Sequence, residues 1–470
     1  MRIERDFLGE IELPDEAYYG IQTTRALNNF AITGHKLNKD FIVALGIIKL
    51  AAAKANMKTG RMPEKIGAAI VQASREVIAG RWHEQFIVDC IQGGAGTSMN
   101  MNANEVIANR ALEILGDRKG NQALLSPNNH VNMAQSTNDV IPTAIRICAI
   151  KQAAYLIEAL DALINSLAAK AKAFSGVLKI GRTHLQDAVP ITLGQEFAAY
   201  AAVLTRAVRR IRDEQKNLHS INMGATAVGT GLNAEIEYID YVVREIAELT
   251  GQPFVLAPNL VDATQNTDEL AAFSGALKVA ALALSKIAND LRMMASGPKC
   301  GLNELILPAM QPGSSIMPGK VNPVIPEMVN QVAFQIIGND HAVSLAVEAG
   351  QFELNVMEPV IAYNLFNSLT IMTNAVNIFN HKCIQGIEAN AARCRELVDN
   401  SIAPITALLP HIGYELASAI AKEAQHTGKP VKEILLSKGI ISPEKLDVIL
   451  SPAEMTKPGI AGKEYLQSAG

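Results

Sequence analysis

The stretch Leu270-Ala-Ala-Phe273-Ser-Gly-Ala-Leu277-Lys-Val-Ala280-Ala-Leu-Ala-Leu284-Ser-Lys-Ile287 decides the fold class. Its apolar residues at 270, 273, 277, 280, 284 and 287 recur in steps of three and four, the spacing that lines one face of a helix. It lies in a proline-free run between Pro258 and Pro298. A helix of about 30 residues spans roughly 45 Å, at about 1.5 Å per residue. Further proline-free runs lie between Pro142 and Pro190, between Pro190 and Pro253, and from Glu327 to Met357. Proline removes a helical donor and clashes with the preceding turn, so its absence marks where long helices fit. We read residues 143–395 as a central bundle of very long helices.

The flanks differ from this core. Residues 1–30 hold Gly9, Pro14 and Gly20 among short alternating runs, which predicts a small hairpin. Helical patterns follow, from Phe41 to Met57 and from Lys65 to Ala79. Beyond Cys394 the segments shorten, and prolines return at 404, 410, 430, 443, 452 and 458. The chain therefore divides into a mixed, mostly helical N-terminal domain (residues 1–142), the bundle (143–395) and a small helical C-terminal domain (396–470). No period of about 20 to 50 residues repeats, so a solenoid is not expected. The fold class is all-α, with a minor N-terminal β-hairpin.

Composition agrees with this reading. The 470 residues are 49% hydrophobic and 19% charged, enough for a large core and too apolar for a disordered chain. Aromatics are only 5%, Trp82 is the single tryptophan, and alanine is abundant, a bias toward closely packed helices. The net charge of −4 gives no electrostatic footprint for nucleic acid. Cys90, Cys148, Cys300, Cys383 and Cys394 are odd in number, widely spaced and without a C-x-x-C pair, so neither a disulfide framework nor a zinc knuckle is expected. The N-terminus, MRIERDFLGE, has no apolar stretch after its charges. We therefore expect no signal peptide and a reducing cytoplasm.

From Pro359 to Asn380 there is no charge over a length that could span a bilayer. Yet Asn364, Asn367, Ser368, Asn374 and Asn377 recur down one helical face. Their desolvation in lipid would be costly, whereas neighbouring helices could pair them. A buried helix and no membrane partner is the expectation. Several long alanine-rich helices leave more apolar surface than one chain covers, so a homo-oligomer is the default.

Four loops dense in Gly, Ser, Thr and Asn lie between the long elements: Gly93–Asn100, Gln135–Asp139, Gly181–Asp187 and Pro312–Pro323. Each alone is also what helix caps and turns look like. Nucleotide binding is poorly supported. GGAGTS lacks the G-K-[ST] ending of a P-loop, and GATAVGTG at 224–231 follows a helix rather than a strand. His83-Glu84 has no second histidine four residues on, and the nine histidines do not cluster, so no metal site is read. What remains is a set of small hydroxyl and amide donors with few charges, suited to a compact dianion. Thr97, Ser98, Ser136, Thr137 and Thr183 can donate to carboxylate oxygens, and Lys320 and Asn322 can close over a second carboxylate. His184 is the proton carrier for neutral pH, unless it is merely structural.

The fourth loop, G-S-S-I-M-P-G-K-V-N-P, resembles the signature of the aspartase/fumarase superfamily, whose members eliminate a group from succinyl-type substrates to give fumarate. G-T-S-M-N-M-N, Q-S-T-N-D-V-I-P-T and G-R-T-H-L-Q-D-A-V-P agree in order and separation, and the likeness runs from Tyr18-Tyr19-Gly20 to the C-terminal part. Within the superfamily the details resemble the ammonia-lyases acting on L-aspartate. Thr137 stands where class II fumarases usually carry a second serine, and Val324-Ile325-Pro326-Glu327 is the aspartase-like form.

The resemblance implies reversible anti elimination of ammonia through an aci-carboxylate. Ser314 is then the base, as an oxyanion held by loop amides and aided by Lys320. Thr97, Ser136, Thr137 and the Ser315 amide hold the β-carboxylate. Thr183, Lys320 and Asn322 hold the α-carboxylate. Asn138 and His184 contact the amino group, and Glu327 orients His184. It further implies a homotetramer with sites shared between subunits and no organic cofactor; some relatives are activated by magnesium. The rival readings are a class II fumarate hydratase and, more remotely, a non-catalytic helical assembly protein that retains the fold.

Overall fold

The computed structural model describes residues 1–466. The expected hairpin opens the chain: β1 (Arg2–Asp6) pairs antiparallel with β2 (Gly9–Leu13). Helix α1 (Ile21–Asn29) follows, its first amides held by buried carboxylates. Glu105 accepts from the N–H groups of Gly20, Gln22 and Thr23, and Glu4 accepts from Ile21. A Cβ on Gly20 would sit 2.7 Å from both carboxylates, so only glycine lets them approach.

The helical patterns near 41–57 and 65–79 are α2 (Lys39–Lys58) and α3 (Glu64–Ile78), followed by α4 (Thr97–Ile114). Next come α5 (Thr137–Ala173), the hairpin β3 (Leu178–Thr183) with β4 (Gln186–Thr192), and α6 (Leu193–Asn217). A short parallel pair, β5 (Ser220–Ile221) and β6 (Val255–Leu256), brackets α7 (Ile236–Thr250). After α8 (Asp262–Gln265) come the long helices α9 (Asp268–Met294), α10 (Val324–Glu348) and α11 (Glu358–Lys382). Strand β7 (Leu305–Ile306) pairs antiparallel with β8 (Glu388–Ala389). Short helices finish the described chain: α12 (Ala391–Asn400), α13 (Leu409–Ile412), α14 (Tyr414–Thr427), α15 (Val431–Ser437), α16 (Pro443–Ile449) and α17 (Pro452–Met455).

Two expectations from proline placement need correction. Helix α5 begins before Pro142 and carries it in its second turn. Pro142 cannot donate to the carbonyl of Asn138, but Asn222 Nδ2 donates to that carbonyl at 3.0 Å, so the missing bond is replaced. The run between Pro190 and Pro253 is not one helix but two, because Gly224, Thr226, Gly229 and Gly231 all take positive φ between them.

Compactness divides the chain into two units. Met1–Glu158, Ala207–Ala281 and Val332–Thr373 form the first; Ala159–Arg206, Leu282–Gln331 and the chain from Asn374 form the second. Their boundaries fall inside α5, α6, α9, α10 and α11, so the long helices run through both. In the first unit Ser274 Oγ and Lys278 Nζ of α9 donate to Asp340 of α10. Asn339 of α10 donates to Asn367 and Ser368 of α11, pairing two of the polar groups that argued against a membrane span. Asn364 is buried and bonds the carbonyl of Val360, whereas Asn374 and Asn377 are exposed. In the second unit Tyr200 of α6 donates to Asp290 of α9, and Asn330 of α10 donates to Ser285 of α9. Among the described residues, α9 is long and apolar enough to cross a membrane, and 56% of that apolar window is buried inside the protein.

Candidate active site

In the first unit, Thr97, Ser136 and Thr137 line one cavity of about 540 Å³ together with Asn100, Asn132 and Gln135. Thr97 is the first residue of α4, after Gly96 at φ +86°, and its hydroxyl donates back to the carbonyl of Gly94 at 2.7 Å. Ser98, next along, is half-buried. Ser136 and Asp139 open α5 as a reciprocal cap: Asp139 Oδ1 accepts the Ser136 N–H at 3.0 Å, and Ser136 Oγ accepts the Asn138 N–H at 3.2 Å. The capping reading and the ligand reading of this loop therefore coexist. The Asn138 amide takes one lone pair of the hydroxyl and leaves its proton for another acceptor.

Asp139 is fully buried, and its second oxygen takes the N–H groups of Gly224 and Thr226, both at 3.1 Å. The glycine-rich segment at 224–231 is thus an anion cradle filled by the protein's own carboxylate, not by a nucleotide. Burial raises the Asp139 pKa. Asn138 Nδ2 donates to the carbonyl of Ala227 at 2.7 Å, which leaves its side-chain oxygen as the open acceptor.

Sequence reasoning missed the group beneath this wall. Lys49 of α2 is fully buried, and its ammonium donates to Asn100 Oδ1 at 2.7 Å, Gln135 Oε1 at 2.8 Å and Asn132 Oδ1 at 3.1 Å. Burial lowers its pKa. A signal was available: Lys49 is the only charge between Phe41 and Ala53, on a helix otherwise apolar there.

In the second unit, the G-R-T-H-L-Q-D loop is a tight hairpin rather than an open loop. Thr183 faces Gln186 across the turn, and the two central residues, His184 and Leu185, have φ +55° and +62°. Positive φ at both positions suits a two-residue hairpin turn, but neither residue is a glycine, so each is held in a strained conformation costing roughly 1–3 kcal/mol. The strand is anchored just before Thr183. Arg182 grips Glu304 with both terminal guanidinium nitrogens at 2.9 and 3.0 Å, and Lys179 joins Glu304 to Glu196 at 3.3 and 2.8 Å. Glu304 is fully buried and immediately precedes β7, from which the serine loop departs, so one carboxylate serves the base of both loops.

That serine loop is fastened at its neck and open at its tip. Gly313 N–H donates to the Lys320 carbonyl at 2.7 Å, and Asn322 Nδ2 donates to the Gly313 carbonyl at 2.8 Å. Ser314 is half-buried, and its Oγ accepts the N–H groups of Ile316 at 3.2 Å and Met317 at 3.1 Å. Two converging amides stabilise an oxyanion at this oxygen. Ser315 and Lys320 are exposed, Ile316 at the tip is 84% exposed, and Glu327 lies in the first turn of α10. Among the described residues no group of three or more His, Cys, Asp or Glu side chains is arranged to hold a metal ion.

The first unit offers hydroxyl and amide donors on a cavity wall; the second, taken by itself, offers the Lys320 loop and one serine oxygen prepared to carry negative charge. The chain matches the protein family described as Lyase over residues 9–338, and that described as Fumarase C C-terminus over residues 405–457. It is 58% identical to the aspartate ammonia-lyase of Bacillus subtilis (strain 168), over 99% of this chain and 98% of that protein. Among solved structures, a fumarate lyase:delta crystallin from Brucella melitensis bound to cobalt superposes with a TM-score of 0.95 at 49% identity, over 97% of this chain and 100% of that one. A class II fumarase from Schistosoma mansoni superposes with a TM-score of 0.92 at 38% identity, over 97% and 99%.

Proposed function

This chain belongs to the aspartase/fumarase superfamily and, within it, to the aspartate ammonia-lyases, and from that premise we propose how its own residues eliminate ammonia from L-aspartate to give fumarate. The β-proton adjoins a carboxylate and is very weakly acidic, so the step needs a strong, placed base and a site that stabilises the aci-carboxylate. Ser314 is that base. The observation that carries the assignment is its Oγ receiving the amides of Ile316 and Met317, which would hold the alkoxide once the hydroxyl proton has left. The Lys320 ammonium, on the same loop, favours the same anion.

Thr97, Ser136, Thr137 and the Ser315 amide hold the β-carboxylate, where charge develops. Thr137 Oγ already accepts an N–H from Asn100 at 3.2 Å, so its own proton is directed elsewhere, as a carboxylate ligand requires. Thr97 must release Gly94 to do the same. Thr183, Lys320 and Asn322 hold the α-carboxylate; one N–H of Asn322 remains after its bond to Gly313. Asn138, with its oxygen open, and His184 receive the amino group, and Glu327 orients His184. Each site is drawn from three subunits of a homotetramer that works in the cytoplasm.

Two experiments test the reading. Incubation with fumarate and ammonium should give L-aspartate, while fumarate alone should give no L-malate; malate as the main product would make the enzyme a fumarate hydratase. Mixing inactive Thr183→Ala and Ser314→Ala chains after mild dissociation should restore activity through sites receiving both intact loops. No recovery in verified mixed oligomers would contradict shared sites.

A further inference from the structure

Lys49 is a buried cation that no carboxylate touches. All three of its protons go to carboxamide oxygens, of Asn100, Asn132 and Gln135. The carboxylates on the cavity wall are occupied elsewhere: Asp6 pairs with Arg25, and Glu105 takes the amides that open α1. Asp139 is held by its three amides. Burying an ammonium whose direct partners are all carboxamides is costly, even with the charge of Asp139 nearby, and the chain has placed one beneath a cavity lined by Thr97, Ser136 and Thr137.

An ammonium can only donate, and this fixes the three carboxamides above it and, through Asn100, Thr137. Asn100 must turn its oxygen inward to Lys49, so its NH2 points out, and Nδ2 donates to Thr137 Oγ at 3.2 Å and to Asn132 Oδ1 at 3.1 Å. Thr137, accepting from Asn100, must send its own proton onward. The order Lys49 to Asn100 to Thr137 to cavity therefore runs in one direction, with donors facing the ligand.

We propose that Lys49 is a positioning residue that sets the polarity of the cavity wall, so that the wall takes the β-carboxylate of L-aspartate and rejects the β-carboxamide of L-asparagine. This rests on the reading of Thr137 as a β-carboxylate ligand. A carboxylate accepts from every donor on the wall. A carboxamide would press its own NH2 against one of them, and a polar site discriminates strongly against a ligand that leaves its groups unpaired. Methionine at position 49 would leave Asn100 and Thr137 free to turn over and accept.

The test is the ratio of the inhibition constants of L-asparagine and succinate, measured against L-aspartate in wild type and Lys49→Met. The ratio does not depend on how much of the preparation is active. It should fall by about tenfold or more in Lys49→Met, a change of the size expected when buried partners can re-pair. An unchanged ratio in the folded variant overturns the proposal. Should Lys49→Met fail to assemble, Asn100→Asp decides. It gives the ammonium an isosteric anionic partner and can only accept from Thr137, reversing the wall; the same fall is expected, and an unchanged ratio again overturns the proposal. Thr137→Ala separates this inference from its premise. If that variant binds succinate as wild type does, the carboxylate reading itself has failed. If it binds succinate more weakly while the ratio in the position 49 and position 100 variants stays put, only the role of Lys49 has failed.

Discussion

The wall above Lys49 and the loop around Ser314 both present small hydroxyls, yet their hydrogen bonds prepare them for opposite tasks. Thr137 sits at the start of a long helix and receives one N–H, from a side chain that a buried cation has oriented. It is left to donate, which is what holding a carboxylate demands. Ser314 sits on a loop tied at its neck and receives two backbone N–H groups. It is left able to lose its proton, because the amides would bind the resulting anion. The lesson is that a hydroxyl's task is set by what already donates to it: one directed N–H makes a ligand, two converging amides make a base.

The largest expected effect breaks the second half of this comparison. Ser314→Ala should lower turnover by about 10²–10⁴-fold, the usual contribution of positioned proton transfer. If His184 were the base instead, His184→Ala would be the dead variant and Ser314→Ala merely slowed. Retention of more than about a tenth of wild-type turnover by Ser314→Ala would refute the assignment. A smaller loss should follow from disturbing the neck of the loop. A Cβ on Gly313 would lie 2.7 Å from the Lys320 carbonyl oxygen and 2.9 Å from Asn322 N, so the neck must shift. A displacement of that kind costs on the order of 10²-fold. Gly313→Ala should thus lose turnover with its melting temperature nearly unchanged, and steady-state kinetics beside a thermal melt will tell.

The wall should respond in binding as well as in turnover, because its donors also face the carboxylate on which charge develops. Thr137→Ala removes one bond to a charged group, worth about 1.5–3 kcal/mol, so succinate inhibition should weaken roughly tenfold or more. Turnover at saturating L-aspartate should fall as well, since the same donor meets the negative charge of the aci-carboxylate, but by less than the loss in Ser314→Ala. The smallest effect belongs to Ser315→Ala. Its proposed part is played by the backbone amide, so kcat/KM should stay within about threefold of wild type, well under the loss expected of a base. A Ser315→Ala variant as slow as Ser314→Ala would exchange the two assignments.

The long helices were legible because their evidence is local. The spacing of Leu270, Phe273 and Leu277 and the absence of proline act within single turns, and α9 follows them. Where a tertiary partner intervened, local reading stopped short. Pro142 looked like a boundary because nothing in its neighbourhood reveals that Asn222 would supply the missing bond. His184 and Leu185 looked like loop residues because neither favours positive φ; the strand pairing and the grip of Arg182 on Glu304 fasten the hairpin that holds them there. The candidate site was legible in the four loops, whose residue types carry their own chemistry. The charges behind those loops were not. Lys49 and Glu304 lie far in sequence from the groups they hold, and only folding brings them together.

The central claim is that holding and reacting are assigned to different hydroxyls, and succinate binding to the folded Ser314→Ala enzyme tests it most directly. Isothermal calorimetry should return a dissociation constant within about threefold of wild type, since the carboxylate donors are untouched and only the base is gone. Loss of succinate affinity in step with loss of turnover would place Ser314 among the groups that hold the substrate, and would contradict the account.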